Sequence, residues 1–319
     1  MNVQTPLITS SDCEGAGEVF RVEAGATPPT PTTSSPSPSE VSNAPTPPPR
    51  YLTVSSQLHL EALASSLSNV YTLSPAFRAE NSDTARHLQE FWMLEAELSF
   101  LPESPADGLE AVMRVAEKLV KAVAADYDAS PAAAYFYSLH PHLQSQVQSA
   151  ASPMTSFPRL TYAAAIDILA AHASAHPTAF AFPPTHGQAI QTEHEKWLAD
   201  EYVQGPLFVT NYPAGQKPWY MLRDSDGSTA ACFDLLVPRL GELIGGSLRE
   251  HREKDLRVAM REHGVVEAQY EWYLDLRKYG STRHGGFGMG WERLVAFLTG
   301  IENVRDCIAF PRATEGSRF

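Results

Sequence analysis

The sequence predicts an α+β fold: its strand-rich pattern agrees with the antiparallel sheet flanked by helices that a resemblance given below implies. Two observations carry the strand-rich reading. Strand-like runs at 206–212, 219–223, 229–238 and 241–247 follow one another closely, with the turn sequence DSDGS at 224–228 between two of them. Stretches with helical apolar spacing lie outside that group. Leu109, Val112, Val115, Leu119 and Val123 mark a helix over 108–126. A chain of 319 residues with 43% hydrophobic content can bury one large core or two small ones.

Taken in order, residues 6–9 form a short apolar segment, followed by a Ser/Asp/Gly turn region and a strand over 18–22. Residues 24–50 are rich in Pro, Ser and Thr with almost no apolar bulk. They read as a disordered or polyproline-like surface insertion between two strands of one sheet, not as a domain linker. A strand over 51–58, a helix over 61–68 and a strand over 70–73 lead into a charged hairpin at 77–97. Helices are expected over 162–173, 187–202, 250–263 and 268–279, and 302–310 is expected to close the sheet. Near the C-terminus GGFGMGWERL (285–294) reads as a strand running into a helix that stops at Gly300, a C-cap.

Bulk properties exclude several classes. A formal net charge of −13 is not the footprint of a surface devoted to nucleic acid, although a local patch remains compatible with tRNA. Cys13, Cys232 and Cys307 lack metal spacing and secretory context, so a reduced intracellular compartment is expected. No apolar run reaches about 18 residues, and no membrane partner is expected. His140, His142, His172 and His176 come without a carboxylate cluster, and HEKWL at 194–198 departs from HExxH at its fifth position.

Two stretches carry chemistry. In FRAENSDTARHLQEFWMLEAE (77–97), Arg78 and Glu80, and again Glu95 and Glu97, lie two apart and so share a strand face. Such a hairpin is either a charged edge or a nucleotide site, with an arginine for phosphate, carboxylates for amines and an aromatic for a base. The glycines at 285, 286, 288 and 290 permit close backbone approach. Their spacing is neither a dinucleotide fingerprint nor a P-loop.

FRAE…RHLQEFWMLEAE resembles motif 2, and GMGWER motif 3, of the class II aminoacyl-tRNA synthetases. The residues between them are most similar to the asparagine-specific branch, in wording close to fungal organellar sequences. The resemblance implies that 1–23 holds the end of motif 1 and a substrate loop, that 24–50 is an insertion, and that 51–319 is the catalytic domain. It places Met1 after the family's long dimer helix and anticodon-binding barrel, so neither is expected here, and homodimerisation is expected to be weak. FPRATEGSRF resembles the family's C-terminal tail. The organellar likeness implies mitochondria, although no presequence follows Met1.

The resemblance also implies roles. Arg78 bridges the α-phosphate of ATP and the attacking carboxylate. Phe91 and Arg293 sandwich the adenine, Glu80 lies near its amino group, and His87 and Arg293 face the γ-phosphate. Asp234 and Glu242 hold Mg²⁺. Glu14, Gln57 and Glu95 hold the ammonium end of the amino acid, and Arg249 reads its side-chain oxygen. Aspartate-specific relatives carry lysine where this chain has Leu60. Without that cation a second carboxylate would be buried unpaired, which favours asparagine. The expected reaction uses ATP, asparagine and tRNA-Asn. Two other readings stand beside it. A tRNA-independent paralogue could adenylate Asn or Asp for amide formation, which Leu60 opposes for aspartate. A non-catalytic remnant is opposed by the retention of Arg78, Glu242 and Arg293.

Overall fold

The computed structural model describes residues 1–10, 19–23, 49–79 and 84–312. Glu14, Glu80, nearly all of residues 24–50 and residues 313–319 lie outside the described residues. Ile8–Thr9 (β1), Arg21–Val22 (β2) and Arg50–Leu52 (β3) make a small antiparallel sheet in the order β1-β3-β2. Among the described residues the main sheet has seven strands: Val70–Phe77 (β4), Glu90–Ser99 (β5), Arg159–Thr161 (β6), Leu207–Thr210 (β7), Cys232–Val237 (β8), Gly241–Leu248 (β9) and His284–Gly290 (β10). Their order is β4-β5-β10-β9-β8-β7-β6, antiparallel throughout except for the parallel β6–β7 edge pair. This is the α+β architecture expected from the sequence.

The helices are Gln57–Leu67 (α1), Pro105–Asp128 (α2), Pro131–Leu139 (α3), Leu143–Ala151 (α4), Tyr162–Ala175 (α5), Thr192–Trp197 (α6), Glu253–Glu262 (α7), Glu271–Lys278 (α8) and Trp291–Thr299 (α9). Local chemistry sets several ends. The Ser104 hydroxyl accepts from the Asp107 amide and Pro105 occupies the first turn of α2. Gly300 closes α9 in the left-handed conformation, φ 78°.

Strand alternation sorts the main sheet into two faces. On one, Leu94, Ala96 and Leu98 of β5, Phe233 and Leu235 of β8, and Phe287 and Met289 of β10 join the apolar side of α2 and α4 in the largest core cluster. The other face carries Met93, Glu95, Glu97, Gly286, Gly288, Gly245, Ser247 and Asp234, and it forms the floor of the site. Gly286 pairs with Glu97 and Ser247, and Gly288 pairs with Glu95 and Gly245.

The structure corrects several expected elements. The strand expected over 51–58 stops at Leu52, because buried Ser55 and Ser56 bond to the Glu95 carboxylate and Gln57 already opens α1. Residues 219–223 make only single bridges, Met221 to Arg249 and Arg223 to Ala230. Trp219 instead packs edge-on against Tyr270 and Tyr273, with ring centroids 5.2 and 5.5 Å away. The helix expected over 187–202 begins at Thr192 and ends in a π turn at Leu198–Tyr202. Residues 302–310 do not close the sheet: Asn303 caps a 3-10 turn at Val304–Cys307, and β4 and β6 are the edges. Helices α3 and α4 were not expected at all.

One buried ionic cluster ties α1, α8 and β10 together. Glu61, on α1, accepts at Oε2 from Arg277 Nη2 (2.6 Å) and the Tyr273 hydroxyl (2.7 Å), with His284 Nε2 at 3.0 Å. Burial pushes this carboxyl upward, but Arg277, His284 and Arg249 together outweigh it and hold it well below the usual range.

Glu61→Gln should lower unfolding free energy by about 3–5 kcal/mol, because it leaves the Arg277 charge buried without its partner. Denaturant unfolding of Glu61→Gln, Arg277→Met and the double variant checks this; the double should cost less than the sum. On the sheet, a Cβ at Gly286 would fall on the Ala96 carbonyl and the Glu97 carboxylate. Gly286→Ala should therefore cost ~1–3 kcal/mol or more in the same assay. Gly215→Ala, which meets nothing within 4 Å, should stay within about 0.5 kcal/mol.

Candidate active site

Two adjoining cavities open on the glycine-floored face. The first is lined by Arg78, Arg86, His87, Phe91, Glu242 and Arg293, among others. The second, of about 330 Å³, includes Gln57, Leu60, Glu95, Glu97, Asp234 and Arg249 in its wall. Arg78, Met93, Glu242 and Gly288 line both, so the cavities meet at these four residues. Strand β5 runs along them as a ruler, with Phe91 in the first, Met93 at the junction and Glu95 and Glu97 in the second. From Phe91 to Glu97 six residues span about 20 Å.

The first cavity is rich in cations. Arg78 comes off the end of β4, where its amide still donates to the Gln89 carbonyl (3.0 Å), and its guanidinium lies 5.4 Å from the Phe91 ring centroid. Arg293, in the first turn of α9, donates from Nη1 to the Glu242 carboxylate at 3.2 Å. His87 Nδ1 pairs with the Thr84 hydroxyl. Burial raises the Glu242 carboxyl, but Arg293, Lys217, Arg86 and Arg78 outweigh burial and hold it below its ordinary range.

Three carboxylates face these cations. Asp234 on β8 and Glu242 on β9 flank Gly245; a Cβ there would meet Glu242 Oε1 at 3.1 Å and Asp234 Oδ1 at 3.6 Å. Lys217 Nζ lies 3.1 Å from Asp234 Oδ2, and Asp234 outweighs burial to keep that lysine protonated. Glu195 on α6 accepts from the Glu242 amide (3.3 Å) and sits 3.5 Å from Arg86. Burial and the Glu242 and Asp234 carboxylates push Glu195 up to about 7. A second acidic group, Glu61, Glu97 and His284, brings three donors within 4.8 Å of one another. Arg249 and Arg277 already occupy it, so it is an ion-pair network and not a metal site.

In the second cavity Glu95 is buried, accepting from the Ser55 hydroxyl and from the Ser56 amide at 2.8 Å. Burial pushes its carboxyl up against those bonds. Gln57 lies beside it at the start of α1, its amide donating to Glu61 at 3.2 Å. Leu60 is 1% exposed and presents only carbon to the cavity. Arg249 follows β9, with Nη1 donating to the Ser247 hydroxyl at 2.6 Å and Nη2 to Glu97 at 3.1 Å.

The described site residues expected from the sequence thus converge: Arg78, His87, Phe91, Glu242 and Arg293 on one cavity, Gln57, Glu95, Asp234 and Arg249 on the other. Glu14 and Glu80 lie outside the described residues. Sequence reading missed Lys217, Glu195, Glu61 and Glu97 as site groups. Glu97 carried a signal, its two-residue spacing from Glu95; Lys217 and Glu195 sit on segments whose local pattern gives none.

Residues 1–314 match the family model for class II tRNA synthetases (D, K and N). The chain is 43% identical to asparagine–tRNA ligase of Thermosynechococcus vestitus, over 99% of this chain and 66% of that protein. It is 44% identical to that of Oleidesulfovibrio alaskensis, over 100% and 67% respectively. Its fold is similar to the crystal structure of asparaginyl-tRNA synthetase from Pyrococcus horikoshii complexed with asparaginyl-adenylate, with TM-score 0.77 and 31% identity over 98% of this chain and 63% of the other. The Entamoeba histolytica asparaginyl-tRNA synthetase–adenylate complex is similar at TM-score 0.77, with 30% identity over 99% and 62%. The chain spans about two thirds of the length of these relatives, and it belongs to the class II tRNA synthetase family that comprises the D, K and N enzymes.

Proposed function

We propose that this chain activates asparagine with ATP and transfers it to tRNA-Asn, as an asparagine–tRNA ligase. The observation that carries the reading is the meeting of a cation-rich cavity and an amino-acid-sized one at Arg78. An asparagine carboxylate and an ATP α-phosphate must touch for adenylation, and one planar guanidinium at the junction can hold both. No protein nucleophile is required; positioning and charge stabilisation supply the rate.

Phe91 and Arg293 face the first cavity, where an adenine can stack between ring and guanidinium. His87 and Arg293 meet the terminal phosphates. Gln57 and Glu95 orient the ammonium end of asparagine, Arg249 donates to its side-chain oxygen, and Leu60 withholds a second cation. Glu14 and Glu80 complete the substrate loop and the adenine contact by family resemblance. Asp234 and Glu242 suit Mg²⁺: both are hard oxygen donors on the cavity wall, and only a glycine lies between them. When bound there, Mg²⁺ would neutralise phosphate charge. The bacterial asparagine–tRNA ligases and the adenylate-bound relatives support the choice of amino acid and of tRNA-Asn. The likeness to organellar sequences supports mitochondria as the compartment.

ATP–pyrophosphate exchange tests the reading. Exchange should depend on asparagine and not on aspartate, should stop when EDTA removes Mg²⁺, and should be followed by charging of tRNA-Asn. Arg78→Ala should lower exchange by about 10²–10³-fold with little change in melting temperature. Aspartate-dependent exchange, or none, would overturn it.

A further inference from the structure

Each carboxylate of the Asp234, Glu242 and Glu195 group has a cation of its own among the described residues. Lys217 Nζ lies 3.1 Å from Asp234 Oδ2, Arg293 Nη1 3.2 Å from Glu242 Oε2, and Arg86 Nη1 3.5 Å from Glu195 Oε2. Three acids thus meet three bases within the protein itself. A divalent cation entering alone would add two positive charges to a matched set. It would do so where the Asp234 and Lys217 side chains are only 15% and 17% exposed. The same ion arriving with polyphosphate oxygens brings the balancing charge with it.

The three cations are not held alike. Arg86 is tied a second time, by its 2.7 Å bond to the Thr192 hydroxyl, and Arg293 again by the Glu242 carbonyl at 3.3 Å. Lys217 reaches both oxygens of Asp234, at 3.1 and 3.4 Å, and its ammonium lies 3.9 Å from the centroid of the Tyr212 ring. The backbone that carries it is pinned. The Ala214 amide donates to the Ser228 carbonyl at 2.9 Å, the Gln216 side chain donates to the Gly187 carbonyl at 2.8 Å, and His263 Nε2 lies 3.2 Å from the Lys217 carbonyl. What is left free to move is the four-carbon stem. An ammonium is a point charge without a fixed fork, so it can turn from a carboxylate to a phosphate oxygen while the loop stays in place. We propose that Lys217 is the resident counter-ion of Asp234: it closes the Asp234–Glu242 pair to a bare divalent cation and yields it when nucleotide phosphates are present to receive the ammonium, so that metal and ATP bind together. The role rests on the reading of Asp234 and Glu242 as the Mg²⁺ residues of an ATP site. It makes Lys217 a positioning residue, whose effect is on when the carboxylates become available.

The test measures binding of Mn²⁺, a paramagnetic stand-in for Mg²⁺, by electron paramagnetic resonance of the free ion. The full chain is titrated alone and with α,β-methylene-ATP, whose bridge at the reacting phosphate cannot be cleaved, after correction for metal held by the analogue in solution. The wild type should bind Mn²⁺ at least about tenfold more tightly with the analogue than without it, a coupling that by linkage is matched in the analogue's own affinity. Lys217→Met keeps most of the stem and removes the charge. Its nucleotide-free Mn²⁺ binding should tighten by roughly tenfold or more, and Mn²⁺ should raise its melting temperature more than that of the wild type. Lys217→Arg retains the charge and should stay within about threefold of the wild type. Asp234→Asn on the Lys217→Met background should abolish the gained binding. A wild type that binds Mn²⁺ as tightly alone as with the analogue overturns the proposal, and this arm needs no variant to fold. A Lys217→Met variant that binds no tighter than the wild type, or a Lys217→Arg variant that binds as tightly as Lys217→Met, overturns it too. A wild type that binds no analogue at any metal concentration removes the ATP-site reading, and the proposal with it. A wild type that binds metal and analogue together, but whose Lys217→Met variant gains no metal, removes only the role of Lys217.

Discussion

Burying a charge without its partner is among the costliest things a fold can do, and this chain buries several against one wall of its site. Glu61, Glu97, Arg249 and Arg277 are each 6% exposed or less. Each finds an opposite charge only because α1, β5, the end of β9 and α8 arrive together. Glu61 reaches Arg277 across more than two hundred residues of sequence, and Glu97 reaches Arg249 across about one hundred and fifty. The cluster adds little net stability over a well-packed apolar equivalent. What it adds is a unique arrangement, since any slip of α1 or α8 leaves a charge stranded. The cavity proposed to read the substrate side chain is lined by Glu97 and Arg249 of this cluster, so its geometry is inherited from the constraint that holds the fold.

The sheet contributes the complementary half. Alternation along β5 sends Leu94, Ala96 and Leu98 to the apolar core and Met93, Glu95 and Glu97 to the site. β10 answers with Phe287 and Met289 on the core side and Gly286 and Gly288 on the site side. Antiparallel register then sets Gly286 against Glu97 and Gly288 against Glu95. The carboxylates therefore stand over a floor without side chains, and the space they border is as deep as the backbone allows. A one-residue slip of β10 would put Phe287 into the cavity and a glycine into the core. Packing of the far face thus guards the register of the near one.

Much of this was legible in the sequence because it rests on local periodicity. The two-residue spacing of Glu95 and Glu97, the glycine run into α9 and the Gly300 cap are short-range patterns, and the structure keeps them. The misses have physical causes. Ser55 and Ser56 look like strand residues until Glu95, forty positions away, claims their donors. Residues 219–223 have strand composition, but the aromatic pocket of α8 takes Trp219 and removes it from the ladder. Lys217 and Glu195 became site residues only through tertiary placement, beside Asp234 and Glu242. Motifs located the chemistry because they pack several functional groups into one segment; single residues delivered by tertiary packing carry no such mark.

The charge distribution follows the same logic at larger scale. The chain carries a formal net charge of −13, yet the cavity beside Phe91 is walled by Arg78, Arg86 and Arg293. A polyanion is therefore attracted at short range to one cleft and repelled, within a screening length of about 8 Å in physiological salt, by the surface as a whole. For a nucleotide this is an advantage, because the cleft outcompetes non-specific surface sites. For a tRNA backbone, which must lie along the outside, the same balance demands a local basic track or contacts with other parts of the family's architecture. On the proposed function, exchange and charging are therefore expected to respond differently to ionic strength, charging falling more steeply as salt rises.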